Sequence, residues 1–174
     1  MRVRARTEAD LPRCAALLLR VREATGYPVR RPDDPAAWVG AVGRAWVAEV
    51  GGELVGHVGL SARDDATAAV ERLYVDPARA REGIGSALLA TAADHAAARG
   101  LQPVLETVDR PGPLAFYATR GWHEIGRTQV DWAGGLDLVR LAETPGRQPS
   151  CRPSQDQRGI AAPTGTSTSP SAGE

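Results

Sequence analysis

The sequence predicts an α+β domain in three layers, with about four helices covering both faces of one mixed, mostly antiparallel sheet of six or seven strands. Three observations carry that prediction. Two β-type runs at residues 45–50 and 54–60 flank Gly51 and Gly52, the composition of a tight antiparallel hairpin. A run at 68–75 is followed by Pro77, a glycine-bearing turn and a long Ala and Leu stretch that stops near Gly100, which reads as strand, loop, helix. Two further runs at 122–130 and 136–141 close the domain as a strand pair.

The remaining elements follow in order. Residues around Val3 suggest a short first strand, and Thr7 with Asp10 three residues later resembles a capping arrangement. Leu11, Ala15, Leu18 and Leu19 then mark one apolar face of a first helix. Residues 26–35 are rich in Pro, Arg and Asp and read as a loop, with a short helix at 38–42. Residues 104–108 form another strand, and 114–119 a short helix after two prolines. From Glu143 onward Pro, Ser, Thr, Gly and Gln replace large apolar residues, too little buried surface to offset the entropy of ordering. One domain at 1–142 and a disordered tail at 143–174 are expected, since 174 residues suit a single core.

Composition removes several function classes. Basic and acidic residues balance at 21 each, so no overall field favours nucleic acid or an anionic membrane. Every one of those cations is arginine, which excludes a lysine Schiff base, a Walker-type phosphate lysine and self-acetylation on lysine. Cys14 and Cys151 are far apart in sequence and suggest neither a disulfide framework nor a thiolate metal site. The N-terminus lacks an apolar stretch of signal-peptide length and no window approaches a membrane span. A cytoplasmic protein is expected.

The informative stretch runs from Val70 through Leu89. A strand ends at Val75, and the turn through Arg81, Glu82, Gly83, Ile84 and Gly85 feeds directly into a helix. First-turn amides with the helix dipole form an anion site, and glycine lets a phosphate approach the backbone. A lone G-x-G serves equally as a tight strand-to-helix connection. The spacing is neither a dinucleotide fingerprint nor a Walker loop.

With Val75, Pro77, Gly83, Gly85, Leu88 and Leu89 in register, the stretch resembles the acetyl-CoA motif of the GNAT superfamily of N-acetyltransferases. A second block, with Phe116, Tyr117, Gly121 and Trp122, is similar to that family's helix-turn ending in an aromatic residue after glycine. The two blocks keep the family's order, and the likeness extends over about residues 3–141. Two positions depart from it: Ala80 stands where the family carries Arg or Gln, leaving Arg81 to supply the cation, and Arg110 replaces the usual Asn.

The resemblance implies a sheet splayed between its fourth and fifth strands, with pantetheine in the gap against the backbone of Leu73 and Val75. It places the pyrophosphate on Arg81, Glu82, Gly83, Ile84, Gly85 and Ser86, with Phe116 alongside. Acetyl-CoA is the implied cosubstrate, an amine the acceptor, and no metal is required. Glu71 is the first candidate for the base that draws a proton from the amine through water, with Glu106 in reserve. Glu71 reads equally as a strand carboxylate paired with Arg72 or Arg110. Tyr117 matches the family's general acid, or is a packing residue beside Phe116.

Other candidates carry less. His57, His95 and His123 lack metal-ligand spacing, and Cys14 lies on the apolar side of a helix, where thiols are inert. Tyr27, Trp38 and Trp46 suit either a core or an acceptor pocket, Tyr27 leaning to the pocket because it lies in the loop. That loop, residues 26–35, is a candidate lid on the acceptor side. Two functions remain: an N-acetyltransferase for a small-molecule primary amine, or a non-catalytic acyl-CoA binding or sensing module. Neither nucleic acid nor membrane is an expected partner, and the protein is expected as a monomer or homodimer.

Overall fold

A computed structural model describes residues 1–144. The strand β1 (Arg2–Ala5) leads through a 3-10 turn (Glu8–Asp10) into α1 (Leu11–Thr25) and α2 (Pro35–Gly40). The hairpin β2 (Arg44–Val50) and β3 (Glu53–Ala62) follows, then β4 (Thr67–Val75) and α3 (Ile84–Ala97). The chain continues through β5 (Gln102–Val108), α4 (Pro111–Ala118), β6 (Trp122–Gln129) and β7 (Asp137–Glu143). A tail is expected from Glu143, but Glu143 belongs to β7 and the Thr144 amide donates to the Gly121 carbonyl at 2.8 Å; the rest of the expected tail lies outside the described residues.

The strands form one sheet in the order β1-β2-β3-β4-β5-β7-β6. Neighbours are antiparallel except β4 and β5, which are parallel. That parallel pairing is confined to Thr67↔Gln102, Ala68↔Pro103 and Ala69↔Val104. Beyond Ala69 the two strands separate, the expected splay, and Val70, Glu71, Tyr74 and Val75 pair with β3 alone.

Both faces of the sheet are covered. On one, α1 and α2 bury Cys14, Leu17, Leu18, Val21 and Val39 against Val47, Leu54 and Tyr74. On the other, α3 buries Ile84, Leu88, Leu89, Ala92, Ala93 and Ala96 against β2 to β5 and β7, with Leu114, Phe116 and Tyr117 of α4 packed against the same core. Each fully buried leucine contributes about 2–3 kcal/mol. Tyr74, buried on β4, donates its hydroxyl hydrogen to the Cys14 carbonyl at 3.1 Å and ties α1 to the sheet.

The buried stripe of α1 is Cys14, Leu17, Leu18 and Val21, the i, i+3, i+4, i+7 pattern of a single helix face, while Leu19 is 37% exposed. The sequence placed Leu19 on the inner face, but it sits about 100° around the helix from Leu18. The capping pair expected at the entry is real: the Asp10 carboxylate accepts the Thr7 amide at 2.8 Å and the Thr7 hydroxyl at 2.9 Å. It also accepts both Arg4 amino groups at 2.7 and 2.8 Å, and this pairing holds the Asp10 carboxyl far below the usual carboxylate range.

Two short helices begin earlier than expected. Asp34 accepts the Ala37 amide at 2.9 Å and starts α2 at Pro35. The helix α4 starts at Pro111, because the first turn lacks amide partners in any case and tolerates proline.

Candidate functional site

The strand β4 is distorted where it leaves β5. Gly59 pairs with Glu71 and His57 with Tyr74, so Arg72 and Leu73 face the single residue Val58. This bulge places Arg72 at φ +54, a left-handed conformation that costs a non-glycine residue energy. Fully buried His57 secures it: the Nδ1–H donates to the Arg72 carbonyl at 2.9 Å. The Arg72 guanidinium lies 4.8 Å from the Trp38 ring centre and donates to the Ala41 carbonyl.

Downstream of Val75, Asp76 accepts the Ala78 amide at 3.0 Å and pairs with Arg20 at 2.9 Å, fixing the turn. Arg81 at φ +69 and Gly83 at φ +78 are both left-handed, and Gly83 caps α3, whose first intrahelical bond runs from the Ala87 amide to the Gly83 carbonyl at 3.0 Å. The amides before Ala87 have no acceptor within the helix, and alternating hand in such a turn folds amides around an anion. Arg79 is occupied with Glu82 at 3.6 Å, whereas Arg81 is exposed and has no ion pair among the described residues.

Three of the expected binding residues, Val75, Gly85 and Phe116, meet at the start of α3. A Cβ on Gly85 would stand 3.3 Å from the Phe116 ring and 3.6 Å from Val75, so glycine there lets Phe116 close over the helix. Arg120, which sequence reasoning missed, joins them. It donates Nε–H to the Ser86 hydroxyl at 2.8 Å and stacks 3.8 Å from the Phe116 ring centre. An arginine just before Gly121 belongs to the second motif block, and that was the signal available.

Glu71, one residue before the bulge, lines a cavity of ≈ 550 Å³ with Tyr27, Trp38, Arg72, Glu106 and Trp132. Its carboxylate is 3.7 Å from Arg72 Nη1. Glu106 faces the same cavity but is held by Arg140 at 3.0 Å and approached by Arg63 at 3.5 Å, so Glu71 is the less restrained of the two. Tyr117 does not line this cavity. It sits on α4 between Phe116 and Trp122 at ring distances of 5.1 and 6.3 Å, and burial pushes its phenol up to about 12. Tyr27 packs its ring 6.5 Å from those of Trp38 and Tyr74, and burial raises its phenol. The aromatic in the loop thus lines the pocket, as does Trp38, while Trp46 is core.

Among the described residues, no group of three or more His, Cys, Asp or Glu could hold a metal ion. No described helix is long and apolar enough to cross a membrane.

A family model for the acetyltransferase (GNAT) family matches residues 15–122, more than half of the chain, and the protein belongs to that family. Its fold is similar to that of an aminoglycoside 6'-N-acetyltransferase complexed with coenzyme A, with a TM-score of 0.72 at 20% identity over 86% of this chain and 99% of that one. A ribosomal-protein-alanine N-acetyltransferase from Brucella melitensis gives 0.68 at 21% identity, over 82% and 99% of the respective chains. A tandem GNAT protein from the clavulanic acid biosynthesis pathway gives 0.62 at 29%, over 72% of this chain and 45% of that one.

Proposed function

We propose that this protein is an N-acetyltransferase that moves the acetyl group of acetyl-CoA directly to the primary amine of a small-molecule acceptor. The observation that carries the proposal is the junction of β4 and α3. There the left-handed turn at Arg81 and Gly83 adjoins the stretch of β4 that β5 leaves unpaired. The aminoglycoside acetyltransferase of similar fold was solved with coenzyme A, which supports the same cosubstrate here.

In this reading Arg81, Glu82, Gly83, Ile84, Gly85 and Ser86 hold the pyrophosphate, the main chain of Leu73 and Val75 holds pantetheine, and Phe116 packs beside it. Bound acetyl-CoA supplies an acetyl thioester. An alkyl ammonium of pKa about 10 must lose a proton before it attacks. Glu71 takes that proton through water, Glu106 being restrained by its arginines. Tyr117 gives its hydroxyl hydrogen to the departing sulfur. Its phenol, raised to about 12, is a weak acid, but burial raises a thiol too, as at Cys14, pushed up to about 11 by burial. The proposed compartment is the cytoplasm.

Release of free thiol from acetyl-CoA in the presence of an amine panel tests this reading. Amine-dependent release that falls in Tyr117→Phe, with acetyl-CoA binding retained, supports it. Binding without turnover of any amine would instead support an acyl-CoA sensing module, the reading suggested by the departures at Ala80 and Arg110.

A further inference from the structure

The charges around the Glu71 cavity narrow the choice of acceptor. On the β5 wall, one oxygen of Glu106 accepts Arg140 Nε–H at 3.2 Å and Nη2–H at 3.0 Å, and Arg63 Nη2 stands 3.5 Å from that same oxygen. Two guanidiniums therefore share a single carboxylate oxygen on that side, while the charged residues lining the cavity itself are Arg63, Arg72, Glu71 and Glu106. On the β4 wall, Arg72 faces Glu71 at 3.7 Å, so each carboxylate of the lining already has an arginine beside it.

The guanidiniums are not equally committed. Arg72 is fixed by the Ala41 carbonyl and the Trp38 ring, and Arg140 by its paired bonds to Glu106. Arg63, with a side chain 46% exposed, a 3.5 Å contact to Glu106 and a further attraction to the neighbouring Asp64, is the least restrained of the three and can turn toward a ligand carboxylate, which its planar fork suits. Trp132 lines the same cavity and is 40% exposed, a large flat surface left uncovered.

Taking the acetyltransferase reading above as its basis, we propose that the acceptor is an aromatic amino carboxylate. Its amine lies toward Glu71, its carboxylate on Arg63 and its ring against Trp132. A polycationic acceptor would bring several ammonium groups to a lining whose two carboxylates each already have an arginine beside them, leaving its further charges unpaired. In the reaction the acceptor's ammonium loses a proton and its nitrogen bonds to the acetyl carbon. The C–S bond breaks, and the products are the N-acetyl compound, free coenzyme A thiol and one proton.

The test measures thiol release by the full chain at saturating acetyl-CoA. The probes are L-tryptophan and L-phenylalanine, their decarboxylated amines tryptamine and phenethylamine, and the polycation neamine. The expected result is a kcat/KM for at least one amino acid about tenfold or more above its decarboxylated amine and above neamine. Arg63→Gln should collapse that preference to within threefold, mainly through KM for the amino acid. Turnover of neamine or a decarboxylated amine equal to or better than that of the amino acids would overturn the proposal. So would a preference unchanged in Arg63→Gln. Absence of turnover with all five probes, while acetyl-CoA binds in calorimetry, overturns the acceptor class and leaves the cosubstrate reading standing. Failure of the folded protein to bind acetyl-CoA overturns both.

Discussion

His57 holds the carbonyl of Arg72 at 2.9 Å through Nδ1–H, at the residue whose positive φ makes the bulge of β4. With its proton on Nδ1, the ring presents Nε2 as the acceptor for Arg6 Nη1–H at 3.4 Å, and its face stacks on Tyr74 at 5.1 Å. Burial, opposed by the Arg72 carbonyl and reinforced by Arg6 and Arg72, lowers the imidazole to about 4. The folded protein therefore holds this histidine neutral at pH values where an unfolded chain protonates it.

Stability should accordingly depend on pH between the two values. Between the unfolded pKa of about 6.5 and the folded value of about 4 the unfolded state binds more protons, so stability falls as pH drops through that window. The loss attributable to His57 is roughly 2–4 kcal/mol. Chemical denaturation at pH 7.5, 5.5 and 4.5 should show the decline in wild type and a shallower one in His57→Gln. Equal slopes would exclude His57 as the source.

Asp10 acts in a lower window. Its carboxyl is held below the ordinary range first by hydrogen bonds from Arg4 and then by Thr7, so its contribution is present above an unfolded pKa of about 3.9 and is lost as pH falls below it. Asp10→Ala leaves Arg4 with Glu49 as its one carboxylate partner among the described residues, at 2.7 Å, beside the Ala5 carbonyl, and should destabilise the fold by about 2 kcal/mol at pH 7. Equilibrium unfolding in urea measures it, and a change under 0.5 kcal/mol would contradict the account.

The proposed split of roles between Glu71 on β4 and Tyr117 on α4 predicts different kinetic signatures. Tyr117→Phe keeps the ring contacts with Phe116 and Trp122 and removes only the hydroxyl, so turnover should fall about a hundredfold with little change in acetyl-CoA affinity. Glu71→Gln should lower kcat/KM for the amine and make it depend more steeply on pH, because only amine already deprotonated can react. Steady-state kinetics from pH 6 to 9.5 reads both effects.

Gly85 is predicted to be intolerant of a side chain. Its Cβ position lies 3.3 Å from Phe116 and 3.6 Å from Val75, and Gly85→Leu should displace Phe116 and weaken acetyl-CoA binding tenfold or more. Calorimetry on the folded variant checks this, and unchanged affinity would remove Phe116 from the proposed cofactor site.

The parts of this fold that were legible in the sequence are those written in local chemistry. Gly51 and Gly52 mark a hairpin because both adopt positive φ, and Gly83 marks the entry to α3 for the same reason. The bulge was hidden because an arginine, Arg72, occupies its left-handed position, where no composition rule expects one. The start of α4 at Pro111 was hidden because proline marks a first turn and a loop equally well. The cavity beside Glu71 draws on residues as distant in sequence as Tyr27, Glu71, Glu106 and Trp132. Only the three-dimensional sheet brings these together. Glu71 and Tyr117 are candidates through their positions relative to the motifs, while the restraint of Glu106 by Arg140 and Arg63 depends on strand pairing between β5 and β7.

The central claim is that the turn into α3 binds acetyl-CoA, and titration calorimetry of the purified protein with acetyl-CoA tests it most directly. The account predicts micromolar affinity, about −8 kcal/mol, and loss of that binding in Gly83→Trp with the fold retained by circular dichroism. No detectable binding to the folded wild type, or unaltered binding in Gly83→Trp, would contradict it.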